Sequence, residues 1–248
     1  MPSKTPVALV TGAAHRLGAQ TARTLHERGW NLVIHYRSRD EQANSLITQM
    51  NRQRPDSACA LQADLSQTAE IDRLASDAVE QWGRLDALVN NASVFYPTPT
   101  GDATEHDWDT ILNTNLRAPF FLVQACLPEL GRNRGSVVNL IDIYSERPID
   151  DHPLYCASKA GLAALTRSWA KDLAPDVRVN GVSPGAILWP EGEAEMDQSA
   201  QQAILDKTPL ARTGNPGDIA ETIAFLICDA PFITGQIVSV DGGRSLNM

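Results

Sequence analysis

Tyr155 and Lys159 stand four residues apart in Leu-Tyr-Cys-Ala-Ser-Lys-Ala-Gly-Leu, and Asp142 lies a short way upstream. On a helix, positions i and i+4 share a face, so the Lys159 ammonium can sit beside the Tyr155 phenol. A neighbouring cation favours the phenolate, which predicts a Tyr155 pKa below the usual value of about 10. Such a phenol can act as a proton donor near neutral pH. Asp142, Tyr155 and Lys159 are therefore the catalytic candidates. Tyr-x-x-x-Lys alone is common in helices, so its meaning depends on the elements that hold it.

Those elements alternate from end to end. Val7–Thr11 reads as a buried strand, followed by a glycine-containing turn and a helical segment ending near Gly29. Strands follow at Asn31–Tyr36, Ala58–Gln62, Ala87–Asn90, Ser136–Ile141, Val177–Val182 and Gln236–Val240, with helical patterns between them. Among these, Trp108–Leu130 reads as one long helix, and Pro153–Leu173 is the helix bearing Tyr155 and Lys159. Nearly all-apolar strands alternating with helices predict an α/β fold, a parallel sheet covered on both faces. With 248 residues, 43% of them hydrophobic, and no linker-like stretch, residues 1–248 are expected to form one domain. Only 186–208 departs from the rhythm. This long irregular segment follows Ser-Pro-Gly at a strand end, where ligands bind in such sheets, and is a candidate lid.

Composition narrows the function classes. A net charge of −9 with no basic stripe argues against a nucleic-acid binder, although local arginines could still hold a small anion. No apolar run reaches membrane-spanning length, and residues 1–6 are too short and polar for a signal peptide. Cys59, Cys126, Cys156 and Cys228 are scattered and read as reduced cytosolic thiols. The five histidines show no metal-ligand spacing, and no metal is expected.

Four stretches point to a dinucleotide. Thr11-Gly12-Ala13-Ala14-His15-Arg16-Leu17-Gly18 follows the first strand and opens the first helix. Small residues there let backbone approach a pyrophosphate, whose charge suits a helix N-terminus. The second strand ends in His35-Tyr36-Arg37-Ser38-Arg39, two arginines and a hydroxyl where an acid would otherwise hold a ribose. Arginine's fork of donors suits a 2′-phosphate, so the expected cofactor is NADPH. Asp64-Leu65 ends the third strand, where a carboxylate can accept from an adenine amino group. Asn90-Asn91-Ala92-Ser93 ends the fourth, with small and amide side chains along a ribose path.

Together with Asn115 in Thr-Asn-Leu, Ser183-Pro184-Gly185 and Val240-Asp241-Gly242-Gly243, these motifs resemble the short-chain dehydrogenase/reductases over essentially the whole chain. The resemblance implies a Rossmann fold with strand order 3-2-1-4-5-6-7, and a homotetramer. It assigns the acid/base to Tyr155, ribose binding and pKa lowering to Lys159, and anchoring of a proton-relay water to Asn115. It also sets Pro184, Gly185 and Ile187 against the cofactor. Arg244–Met248 could then reach a neighbouring subunit.

Two departures from that pattern carry information. Arg16 stands where the turn usually has its middle glycine, and Asp142 stands where a catalytic serine is usual. Ser145 is the hydroxyl available if the register slips by three. An ionised aspartate cannot donate to a carbonyl oxygen, whereas a protonated one can pass its proton to a ring nitrogen. Burial beside a nicotinamide would raise its pKa in that direction. This shifts the expected chemistry from C=O toward C=N reduction. With Phe95 in Asn-Asn-Ala-Ser-Val-Phe-Tyr-Pro-Thr-Pro, the chain is similar to the pteridine reductases and bacterial dihydromonapterin/dihydrofolate reductases.

That likeness implies a cytoplasmic NADPH-dependent reductase taking a 7,8-dihydropterin to its tetrahydro form, with hydride going to C6 and a proton to N5. Oxidised pterins would take hydride at C7. It stacks Phe95 on the pterin, aims Arg16 at cofactor phosphate and pterin, and sets Ser93 at the pterin edge. Tyr144 and Trp189 complete the expected pocket. The rival readings are a carbonyl reductase of the 3-oxoacyl-thioester type and a non-catalytic NADPH sensor.

Overall fold

The computed structural model describes residues 5–189 and 196–247. Its strands are β1 (Val7–Val10), β2 (Asn31–Tyr36), β3 (Ala58–Gln62), β4 (Ala87–Asn90), β5 (Ser136–Leu140), β6 (Arg178–Pro184) and β7 (Ile237–Val240). All pair in parallel, in one sheet of order β3-β2-β1-β4-β5-β6-β7, as expected. Register is continuous through the centre, where Leu9 pairs with Val33 on one side and Leu88 on the other.

The helices are α1 (Arg16–Glu27), α2 (Asp40–Gln53), α3 (Thr68–Glu80), α4 (Glu105–Leu112), α5 (Ala118–Arg132), α6 (Pro153–Asp172), α7 (Gln198–Asp206) and α8 (Pro216–Cys228). Alternate strand residues point to opposite faces. Val7 and Leu9 accordingly pack with Leu74 of α3, Leu122 of α5 and Leu162 of α6. Ala8 and Val10 pack with Leu25 of α1, Leu46 of α2 and Ile223 of α8. Burial on both faces is why the central strands read as unbroken apolar runs. No described helix is long and apolar enough to cross a membrane.

One expected element is different. The stretch read as a single helix over Trp108–Leu130 is broken into α4, a π-helical turn at Asn113–Arg117, and α5. Pro119 opens α5 and has no N–H to give the carbonyl four residues back, so the regular ladder cannot run through. The wider turn points Asn115 inward, where it is 1% exposed. In the segment 186–208, residues 190–195 lie outside the described part, and the second half forms α7.

The sheet order reverses between β1 and β4. In open parallel sheets, the crevice beyond the strand ends at such a point receives ligands. Here that crevice is a cleft of about 680 Å³ lined by the ends of β1, β2, β4, β5 and β6.

Candidate active site

The glycine turn forms one wall of the cleft, with Gly12, His15, Arg16, Leu17 and Gly18 all lining it. Gly12 has φ +60, and a Cβ at Gly18 would lie 2.6 Å from the Gly12 carbonyl oxygen. Only glycine allows so tight a path from strand to helix. Asn91 donates from Nδ2 to the carbonyls of Thr11 (2.7 Å) and Gly12 (3.1 Å), so its amide is spent on pinning the turn. The Thr11 hydroxyl accepts from the backbone N–H of Asn91 and Ala92, which ties β4 to the same turn. With α1 opening directly behind, this cradle fits a dinucleotide pyrophosphate.

Arg16 adopts φ 52, the left-handed region, which explains why glycine suits this position. Its Nη2 donates to the Trp189 carbonyl at 2.9 Å, tying the turn to the start of the segment that leaves β6. His35 lines the cleft but works beneath the turn. Its Nδ1 accepts from the Gly12 N–H at 3.0 Å, and Nε2 lies 3.0 Å from the Ala63 carbonyl. Burial pushes this imidazole down to about 4, which keeps Nδ1 free to accept.

Beyond β2, Tyr36, Arg37, Ser38 and Arg39 border the cleft, the last three exposed. Asp64 and Leu65 border it from the end of β3. Hydrogen bonds from Ser66 hold the Asp64 carboxyl below its usual range, so it is an anion ready to accept. Pro184, Gly185 and Ile187 line the floor at the end of β6.

At the opposite end Tyr155 donates to Asp142 Oδ2 at 2.8 Å. Asp142 Oδ1 accepts from the Tyr144 N–H at 3.0 Å, capping the short turn Ile143–Ser145. Ser145 faces a separate small cavity with Glu146 and Arg147, so the carboxyl and not the hydroxyl meets the cleft. Burial raises the Asp142 pKa against the pull of its hydrogen bonds and of the Lys159 and Arg244 charges.

One expectation needs correcting. Tyr155 is held well above its ordinary range, first by burial and then by the adjoining Asp142 charge. Lys159 does not reverse this. Its Nζ donates to the Leu140 carbonyl at 2.8 Å and lies 5.7 Å from the Tyr155 ring centroid. Burial pushes the ammonium down to about 8.

Asn115 is the one catalytic candidate that does not line the cleft. Its Oδ1 accepts from the Val94 N–H (2.9 Å) and Ser93 Oγ (3.1 Å), and its Nδ2 donates to the Val94 carbonyl (3.0 Å) and Ser158 Oγ (3.1 Å). It thus ties the loop after β4 to α6. Ser93 and Phe95 on that loop do line the cleft, with Tyr144 and Trp189 facing them. The Phe95 ring meets Tyr155 edge-on at 4.7 Å and stacks on His152 at 4.5 Å.

Two residues here went unread in the sequence. His152 buttresses Phe95 from just before α6, and no motif marks it. Arg244, read in the sequence only as part of an Arg244–Met248 segment able to reach a neighbouring subunit, turns into the cleft of its own chain and donates to Tyr144 Oη at 3.2 Å.

The glycine turn, the Asp142–Tyr155–Lys159 group and Phe95 therefore share one cleft, and the comparisons with known proteins decide the family. The family model described as enoyl-(acyl carrier protein) reductase matches residues 12–245. The chain belongs to the short-chain dehydrogenase/reductases. It is 35% identical to pteridine reductase 1 of Leishmania tarentolae, over 97% of this chain and 96% of that one. It is 36% identical to a 3-oxoacyl-(acyl-carrier-protein) reductase of Staphylococcus aureus, over 96% and 98%. It is 37% identical to a granaticin polyketide synthase putative ketoacyl reductase 2 of Streptomyces violaceoruber, over 97% and 96%. As a short-chain reductase the chain is an oxidoreductase of a nicotinamide cofactor, and a purely sensory role falls away.

Proposed function

We propose that this short-chain reductase is an NADPH-dependent pteridine reductase. It would reduce the C6=N5 bond of a 7,8-dihydropterin such as dihydromonapterin, dihydrobiopterin or dihydrofolate, and oxidised pterins would take hydride at C7. The observation that carries this reading is the 2.8 Å hydrogen bond from Tyr155 to a half-buried carboxyl, Asp142, inside the cleft.

When bound, the cofactor supplies hydride. Every other task falls to the chain. The turn at Gly12–Gly18 takes the pyrophosphate, with Arg16 beside it. Arg37, Ser38 and Arg39 take the 2′-phosphate, Asp64 and Leu65 the adenine, and Lys159 with the Asn91–Ser93 backbone the riboses. Pro184, Gly185 and Ile187 back the nicotinamide. Phe95 covers the flat heterocycle, as aromatic faces favour. The ring nitrogen would take its proton by way of the hydrogen-bonded pair of Asp142, whose carboxyl is biased by burial toward its protonated form, and Tyr155, with solvent replacing that proton.

A carbonyl reductase of the 3-oxoacyl-thioester type is the second reading, favoured by the identity to the staphylococcal enzyme. Against it stand Asp142 in place of the usual hydroxyl and Arg16 in the glycine turn, neither of which a neutral ketone calls for. We further infer a cytoplasmic homotetramer.

The test is a panel of dihydropterin, quinonoid dihydropterin, dihydrofolate and acetoacetyl thioester, each with NADPH and NADH. Dihydropterins with NADPH should give the highest kcat/KM. Asp142→Ala should lower their turnover about 100-fold or more, as loss of an acid catalyst does, with NADPH affinity little changed. Unchanged pterin turnover in that variant, or a higher kcat/KM for the thioester, removes the pterin assignment. A preference for NADH removes the cofactor assignment.

A further inference from the structure

Among the described residues, Arg244 is a buried cation with no carboxylate within ion-pair distance. It follows Gly243, which adopts φ +84, and opens the short turn Arg244–Leu246. Asp241 fixes this corner, its carboxylate accepting from the backbone N–H of Gly243 (2.9 Å) and Ser245 (2.9 Å). The Arg244 side chain is therefore aimed by the backbone and is not a free surface arm. It is 8% exposed and lines the cleft.

A guanidinium carries five donors and a permanent charge. Here Nη2 reaches Tyr144 Oη, while Nε is buried with no acceptor. Among the described residues no carboxylate comes within ion-pair distance of Arg244. Asp142 feels its charge but is already held by Tyr155 and the Tyr144 N–H. Burying a cation and leaving donors unpaired is costly unless something else supplies the anion.

The position says what supplies it. Arg244 lies beyond β7, at the far edge of the sheet from β2, whose end carries Arg37 and Arg39. It adjoins Tyr144, next to Asp142, and so belongs to the reacting end of the cleft. We propose that Arg244 is a specificity-determining residue that receives an anionic oxygen group, carboxylate or phosphate, carried by the substrate outside the ring that is reduced. This deepens the pterin reading and rests on it for the identity of the ring. Substrates with an anionic tail are then favoured over neutral ones of the same ring.

The experiment compares kcat/KM for dihydrofolate, whose tail bears carboxylates, with that for dihydrobiopterin, whose tail is neutral. Wild type, Arg244→Lys and Arg244→Gln are measured with NADPH, each first checked for its melting transition. The ratio of anionic to neutral substrate should fall about tenfold or more in Arg244→Gln, as expected for a lost charge-assisted bond, and mainly through KM. Arg244→Lys should keep part of it. An unmoved ratio overturns the proposal, including the case where both substrates lose activity alike or share one shift in pH profile. That result would make Arg244 a prop for Tyr144 or for the Asp142 charge. If wild type turns over neither pterin, the pterin reading fails by itself. The same ratio is then read on acetoacetyl-coenzyme A, which bears phosphates, against the neutral acetoacetyl-N-acetylcysteamine, with the same two outcomes.

Discussion

Lys159 is 2% exposed, and its ammonium is bonded to the carbonyl at the end of β5. A base held below its unfolded pKa weakens the fold wherever the unfolded chain keeps the extra proton. Lys159 is held at about 8 against an ordinary 10.5, so its penalty is full below pH 8 and gone above 10.5. That interval corresponds to roughly 3 kcal/mol. The wild type should therefore gain stability relative to Lys159→Met by about this amount as pH rises through that window. Urea unfolding of both proteins at pH 8, 9 and 10 checks it, and parallel curves would show that the ammonium is not strained. At this scale the sequence was readable where chemistry follows from local spacing, as for Tyr155 and Lys159. It misled on the Tyr155 pKa because burial and Asp142 act from outside the helix that carries the phenol. The place of Arg244 in the cleft was not legible because its direction depends on Asp241 and a left-handed glycine, which no spacing rule contains.

The π-helical turn between α4 and α5 is the element on which the cleft's substrate wall depends. It turns Asn115 to bridge Ser93 and Val94 on one side and Ser158 of α6 on the other. Asn115→Ala leaves the Val94 N–H and carbonyl without these partners. Each net bond contributes about 1 kcal/mol, so a loss of roughly 2–3 kcal/mol in unfolding free energy is expected. Turnover should fall as well, since Phe95 rides on the released loop; stability lost with full kcat kept would make Asn115 structural only. Apolar periodicity could not show this turn. Ile111 and Leu122 sit on buried faces on both sides of it, so the 3.6-residue pattern survives one wider turn. Pro119 was the available sign, because a proline inside a helical pattern removes a rung of the ladder. The strands were easier to read, since residues buried on both faces leave little ambiguity.

For the whole molecule, alternation was enough to show a parallel sheet, because parallel strands need crossovers and those are right-handed, whereas the strand order came only with the family resemblance. Assembly is a different matter, as it depends on surfaces that periodicity does not rank. Trp108 on α4 is 55% exposed and Phe120 on α5 is 41% exposed, the latter beside Phe121 and Trp169. An exposed aromatic that continues a cluster of others, as Phe120 does, is a candidate contact surface where the apolar patch is contiguous. If the proposed homotetramer forms through this surface, a carboxylate placed there must be desolvated without a partner, which costs several kcal/mol. Phe120→Glu should then fold, because the side chain is already half in water, but assemble poorly. Light scattering behind a sizing column should give four chains of 26.9 kDa for the wild type and a smaller particle for the variant. A wild type running as one chain would discard the tetramer, and a variant that stays tetrameric would move the interface to another face.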